Sequence, residues 1–321
     1  MTDPKREVAD ILREKDNFII SGHFNPDGDA IGSTSAVGHI LSALGKNFTI
    51  YNPSGLPPQF EWLDLPAELS AELPSSGNHW IVALDCGDLA RLGGELGSIW
   101  NQRHTVNIDH HLGNDGFAEV NWVDTSYSSV GEMIAELARE LGIPLTGGLG
   151  ESIYLAMVSD TGNFSYGNTS PASFRLAAEI IEQGLDLESF NHKYQNQWSY
   201  NRLQLWSAIL GDAELFDDGR IGLIKITNEI LARTGTTVYD TENLVNFVRK
   251  VKSVQVAVSL REENNGRTKF SLRSNGEVNV QKLASKFGGG GHKNASGGSI
   301  RAPIDKSAKT IVEAARRALQ A

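Results

Sequence analysis

One cysteine, Cys86, is all that the 321-residue sequence contains. An internal disulfide framework is therefore excluded, and a reducing compartment is the expected setting. Long apolar runs are missing as well: nothing approaches the ~20 consecutive apolar residues of a membrane-spanning helix. The first residues, MTDPKREVADILREKDN, are charged where a secretory signal would be apolar. These absences lead to the expectation of a soluble, cytoplasmic protein with no membrane partner. A third scarcity is local. Residues 1–220 hold only 12 Lys and Arg against 31 Asp and Glu, whereas residues 221–321 hold 17 against 8. The acidic part can supply carboxylates for cations, and the basic part can attract an anionic ligand. The net charge of −10 argues against a protein that coats long nucleic acid, because that affinity rests on many phosphate contacts.

What is present fits an α/β protein of two domains. FIISG (18–22), NFTIYN (47–52), WIVALD (80–85) and HTVNID (104–109) read as buried strands, and Ile31–Leu44 reads as a helix between the first two. Such alternation predicts βαβ units, hence a parallel sheet with helices on both faces. Further helices are expected over Val130–Leu141, stopped by Gly142, and from Ser170-Pro171 to Gly184. Leu187–Leu215 reads as one connecting helix carrying Trp198 and Trp206. RIGLIKIT (220–227), a helix near Glu242–Lys250, VQVAVSLRE (254–262) and RTKFSLRS (267–274) then form a second unit, with Asn264-Asn265-Gly266 as a hairpin turn. A short helix, Val280–Phe287, leads into the run Gly288–His292. The expected organisation is a catalytic domain over 1–186, a linker helix over 187–215 and a smaller mixed-sheet α/β domain over 216–321.

The chemistry gathers at the ends of apolar segments. His23, Asp27 and Asp29 lie within seven residues, on a loop containing Pro26 and Gly28 at the carboxyl end of a strand. That edge of an open α/β sheet is where ligands bind. Asp85 ends WIVALD, Asp109-His110-His111 ends HTVNID, and Asp160 ends the apolar stretch SIYLAMVSD. Closely spaced carboxylates repel one another unless a cation intervenes. Asp109 can orient an imidazole through its second nitrogen, as metal-bound histidines usually require. Mixed imidazole and carboxylate donors suit manganese, iron, cobalt or magnesium, and no cysteine cluster points to structural zinc. So many donors exceed the need of one ion, and two metals ~3.5–4 Å apart acting on a phosphoryl group are the natural arrangement.

At these residues the sequence resembles the DHH phosphoesterase family, named for the trio found here as Asp109-His110-His111. His23, Asp27, Asp29, Asp85 and Ser159-Asp160-Thr161-Gly162 match its other motifs in order, and Gly288–His292 with Asn294–Gly298 resembles its associated substrate domain. The resemblance implies two divalent ions, most simply Mn2+ with Mg2+ or Co2+ as alternatives. His23, Asp27 and Asp85 would hold one ion; Asp29, Asp85, His110 and Asp160 would hold the other. Asp85 would bridge them, and His111 would contact the scissile phosphate. Gly290, Gly291, His292 and Arg273, with Arg261 as the weaker candidate, would bind the substrate. The length leaves no room for the extra domains of RecJ-type exonucleases, and the glycine run sets the chain apart from family II pyrophosphatases. The branch implied acts on short single-stranded oligonucleotides and on the nucleotide bisphosphate pAp. A linear or cyclic dinucleotide phosphodiesterase and a non-catalytic nucleotide sensor are the rival readings. A homodimer is compatible with the sequence.

Overall fold

The computed structural model describes residues 3–74, 77, 79–196, 198–263 and 266–320. The chain divides into two units, Met1–Gln197 and Trp198–Ala321. The first unit begins with α1 (Pro4–Glu14), β1 (Phe18–Gly22), α2 (Gly28–Ala43), β2 (Phe48–Tyr51), β3 (Leu69–Ser70), β4 (Trp80–Leu84) and α3 (Gly94–Ile99). It continues with β5 (His104–Asp109), β6 (Val120–Val123), α4 (Val130–Glu140), α5 (Gly147–Asp160), α6 (Pro171–Glu182) and α7 (Leu187–Gln195).

Its six strands form one parallel sheet in the order β3-β2-β1-β4-β5-β6. The chain therefore winds outward from β1 and then returns to lay β4 on its other side, with Gly22 paired to Leu84. That reversal leaves a crevice at the carboxyl ends of β1 and β4, the position where open α/β sheets bind ligands. Alternate side chains enter opposite layers, as a pleated strand dictates. Phe18, Ile20, Val82, Leu84, Val106 and Ile108 pack with the helical layer that includes α2, α4 and α5. Ile19, Tyr51, Ile81 and Ala83 face a thinner layer with Leu96 of α3, Leu92 and Trp100.

Helices α2 and α5 are buried nearly all round because they lie in the middle of the thick layer. They cross closely at Gly32, where a Cβ atom would stand 2.5 Å from the Ser152 carbonyl oxygen and 2.8 Å from the Ala156 nitrogen. The Ser35 and Ser152 hydroxyls meet at 2.8 Å across the same contact.

The stretch read as one linker helix is two helices. Phe190 of α7 is buried in the first unit's core, whereas Leu205, Trp206 and Ile209 of α8 (Tyr200–Gly211) are buried in the second. The break follows from local chemistry: the Ser199 side chain accepts from Arg202 N–H and so starts a new helix. The second unit then contains β7 (Glu214–Phe216), β8 (Ile221–Ile226), α9 (Asn228–Thr234), α10 (Leu244–Arg249), β9 (Val256–Glu262) and β10 (Thr268–Ser274). It ends with α11 (Val280–Ser285), β11 (Gly290–His292), β12 (Ala295–Ile300) and α12 (Ile304–Leu319). The strands make a mixed sheet ordered β11-β12-β10-β9-β8-β7, in which only β8 and β9 run parallel. Asn264 and Asn265 of the expected hairpin turn lie outside the described residues, while β9 and β10 pair antiparallel up to Glu262 and Thr268 on either side.

The α2–α5 crossing yields a stability prediction. Gly32→Ala should cost about 1–3 kcal/mol through overpacking. Gly94→Ala, where a Cβ meets nothing within 4 Å, should change stability by less than about 0.5 kcal/mol. Urea unfolding monitored by circular dichroism separates the two.

Candidate metal centre

The loop after β1 is fixed before it offers any donor. The Asn52 side-chain amide donates to the His23 carbonyl at 3.0 Å, and Phe24 N–H donates to the Arg91 carbonyl at 2.8 Å. Asp27 caps α2, its Oδ1 accepting from Asp29 and Ala30 N–H at 3.1 Å each. His23 Nδ1 donates to the Phe24 carbonyl at 2.9 Å, which sets the tautomer and leaves the Nε2 lone pair facing Asp27 Oδ2 at 3.7 Å and Asp85 Oδ2 at 3.6 Å.

Asp29, one residue into α2, is fully buried. Its two oxygens accept from Val130 and Gly131 N–H at 2.8 and 3.0 Å, the amino end of α4. Helix-terminal N–H groups are suited to an anion, and here the anion is the protein's own carboxylate. Asp85 follows β4 with φ 57°, a left-handed conformation that Asp tolerates better than most residues. Its carboxylate lies 3.6 Å from His23 Nε2 and 3.7 Å from His110 Nε2. His110 Nδ1 donates to the Tyr127 carbonyl at 3.2 Å, so Nε2 turns towards Asp160 Oδ2 at 3.1 Å and Asp29 Oδ2 at 3.7 Å. Asp160 is the last residue of α5, so this donor comes from a helix end rather than from the sheet.

All six side chains singled out in the sequence thus converge. Ligand atoms of His23, Asp27 and Asp85 lie within 4.8 Å of one another, and so do those of Asp29, His110 and Asp160. Asp85, His110 and His111 form a third such group, which makes Asp85 common to two of the three. His23 Nε2 and Asp85 Oδ1 are buried without a hydrogen-bond partner. Orphaned polar atoms of this kind cost on the order of 1–3 kcal/mol each. Converging imidazole and carboxylate lone pairs fit a divalent cation.

The electrostatics point the same way. Burial pushes the Asp29 and Asp85 carboxyls well above the usual range; Asp160 adds to the first, and Asp29 and Asp27 add to the second. Asp27 moves the other way: burial raises it, but the neighbouring His23 imidazole and the Ala30 N–H carry it below the ordinary carboxylate range. Burial alone would lower His110, yet the hydrogen bond and charge of Asp160, with Asp29 behind them, push it up to about 10. Cys86 is fully buried, and that burial pushes its thiol well up, with the Asp85 charge adding to it, so it is no nucleophile.

One expectation is redirected. Asp109 orients His111, with Oδ1 2.8 Å from Nδ1, whereas the second nitrogen of His110 is held by the Tyr127 carbonyl. Sequence reasoning also missed Asn114, whose amide donates to Asp109 Oδ2 and Asn107 Oδ1, and Asn107 itself. The signal for Asn107 is the polar alternation Thr105, Asn107, Asp109 in β5; Asn114 lies in the loop beyond that strand.

In the second unit, register places Arg261, Arg273 and His292 on one face of the mixed sheet. His292 pairs with Ala295 and Ala295 with Arg273, while Arg261 pairs with Lys269, four residues from Arg273 along β10. Phe270, Leu272 and Val258 fill the opposite face. Arg261 is partly buried, its Nε has no hydrogen-bond partner, and desolvation lowers its pKa. Gly290 and Gly291 belong to edge strand β11 rather than to a loop; Gly291 has φ 128°, and a Cβ there would stand 2.5 Å from the Ala295 carbonyl oxygen.

A parallel sheet whose carboxyl edge gathers six histidine and aspartate side chains, followed by a basic mixed-sheet unit, defines a two-domain phosphoesterase of the DHH type. The chain belongs to that family: the DHH family N-terminal domain matches residues 17–157, and the DHHA1 domain matches residues 225–321. It is 32% identical to the bifunctional oligoribonuclease and PAP phosphatase NrnA of Thermus thermophilus, over 98% of this chain and 94% of that one. The protein of the same name from Bacillus subtilis is 30% identical over 92% and 93%. An exopolyphosphatase-related protein from Bacteroides fragilis superposes with a TM-score of 0.86 at 27% identity, covering 99% of this chain and 95% of that one. No helix among the described residues is long and apolar enough to cross a membrane.

Raised carboxyls and a cationic His110 mean that a metal ion entering this site must displace protons. Adding Mn2+ to metal-free protein near neutral pH should therefore release protons, and affinity should rise with pH. Calorimetry in buffers of different ionisation enthalpy measures this; uptake without proton release would contradict the assignment.

Proposed function

We propose that the protein is a metal-dependent phosphoesterase that hydrolyses very short oligonucleotides and removes a phosphate from pAp. The observation that carries this reading is the convergence of two donor groups, His23 with Asp27 and Asp85 and Asp29 with His110 and Asp160, which meet where Asp85 Oδ1 lies 3.7 Å from His110 Nε2. The names of the T. thermophilus and B. subtilis relatives supply the substrate class.

His23, Asp27 and Asp85 would hold one divalent ion, and Asp29, Asp85, His110 and Asp160 the other, with Mn2+ as our choice for both. When bound, such ions neutralise phosphoryl oxygens and acidify water. The chain's own residues supply the rest. The α4 amino end keeps Asp29 oriented, and the Phe24 and Tyr127 carbonyls keep His23 and His110 aimed inward. His111, with Nδ1 engaged by Asp109, passes a proton through Nε2 to the leaving oxygen of the ester. Arg273 clamps a substrate phosphate, which its planar fork of donors suits. Arg261, His292 and the backbone N–H groups of Gly290 and Gly291 complete that anion site.

With Mn2+ present, pAp, pApA and a five-nucleotide RNA should all turn over, and cyclic di-AMP should be the slow substrate. A strong preference for cyclic di-AMP would move the protein to the cyclic-dinucleotide enzymes, and binding of pAp without turnover would make it a sensor. Asp85→Ala should abolish metal-dependent hydrolysis. Arg273→Ala should raise KM roughly ten- to a hundredfold with kcat little changed, the value of a charge-assisted contact. Steady-state kinetics on pApA checks both variants.

A further inference from the structure

Asn114 lies in the loop after the histidine pair and is joined to no metal donor. Its side-chain amide nevertheless binds three oxygens at once: Asp109 Oδ2 at 2.7 Å, Asn107 Oδ1 at 2.7 Å and the Cys86 carbonyl at 3.1 Å. Its own oxygen accepts from Gly116 N–H at 2.8 Å. Asn107 in turn donates to the same Cys86 carbonyl at 3.3 Å. Asp109 is fully buried, with Oδ2 held by Asn114 and Oδ1 by His111 Nδ1. Both of its oxygens are therefore assigned.

His111 has a competing partner. Its Nδ1 stands 2.8 Å from Asp109 Oδ1 but only 3.4 Å from Asp85 Oδ1, the carboxylate shared by the donor groups. The terminal torsion of an aspartate is soft, so a carboxylate with one oxygen released turns easily. Without the Asn114 amide, Asp109 would turn, and His111 would be drawn to Asp85.

We propose that Asn114 is a positioning residue for His111, acting through Asp109 to keep the imidazole off the shared carboxylate. The inference rests on the reading of His111 as the proton donor to the leaving oxygen. Only asparagine or glutamine carries the two N–H donors and the acceptor that this position uses, and asparagine has the reach for so local a cluster.

The test compares two substrates at saturating Mn2+: pApA, whose leaving oxygen needs a proton, and the p-nitrophenyl ester of thymidine 5′-phosphate, whose leaving group does not. Asn114→Ala should lower kcat on pApA roughly 10- to 100-fold, the usual effect of removing a supporting hydrogen bond. Its KM, its Mn2+ dissociation constant and its kcat on the nitrophenyl ester should stay within about threefold of the parent values. Asn114→Ser, which keeps one donor, should fall between, and it serves if the alanine variant does not fold. Equal losses on both substrates, or a weakened Mn2+ affinity of matching size, would overturn the inference, because a merely structural role predicts them. His111→Ala is the reference. If it too loses equally on both substrates, the proton-donor reading falls and the inference with it; if it discriminates and Asn114→Ala does not, the inference alone falls.

Discussion

Mutual repulsion among carboxylates held away from water is the constraint around which the first unit is built. Asp29 and Asp85 are almost wholly buried, and Asp27, Asp109 and Asp160 act on one or both of them. Burying even one unpaired charge is costly, and several together would not persist without compensation. The fold provides that compensation from backbone dipoles and imidazoles: the amino end of α4 for Asp29, the amino end of α2 for Asp27, His23 for Asp27 and His110 for Asp160. What is left over, Asp85 with an orphaned oxygen beside a buried His23 nitrogen, is the part a cation completes.

That arrangement explains several features that look unrelated. The thick helical layer holds α2 and α5 at a distance that only glycine at position 32 permits, and these two helices carry Asp29 and Asp160. The left-handed backbone at Asp85 turns its side chain into the crevice immediately after a buried strand. The carbonyls of Phe24 and Tyr127 each hold one nitrogen of an imidazole, so that the other is aimed at carboxylates. Rigid support of this sort is what precise catalytic geometry requires.

The second unit solves a different problem, carrying basic side chains on one face of a sheet. One face of its mixed sheet packs a core that includes Val258, Phe270 and Leu272; on the other, Ile224, Ile226 and Ala257 join a second apolar cluster with α8, α9 and α10, and β10 carries Lys269 and Arg273. The charge division along the chain, acidic before residue 221 and basic after it, is the outward sign of these two tasks.

The sequence by itself determined which segments end at the site. Apolar runs of five or six residues stopping at His23, Asp85 and Asp109 match β1, β4 and β5 closely, because strand burial and chain direction are written in local composition. Ser170-Pro171 likewise marked the start of α6. Partnership was decided only by the tertiary structure. Asp29 is held by residues 101 and 102 positions away, and no local pattern encodes such pairings. Adjacency in Asp109-His110-His111 did not reveal which imidazole the carboxylate holds, because both histidines lie beyond the end of β5, where strand alternation no longer sets side-chain direction. The break between α7 and α8 was hidden because a helical pattern continues across it while the buried faces change core. Arg273 and His292 came to flank Ala295 only through strand register, which hydrogen bonding between strands sets and composition does not.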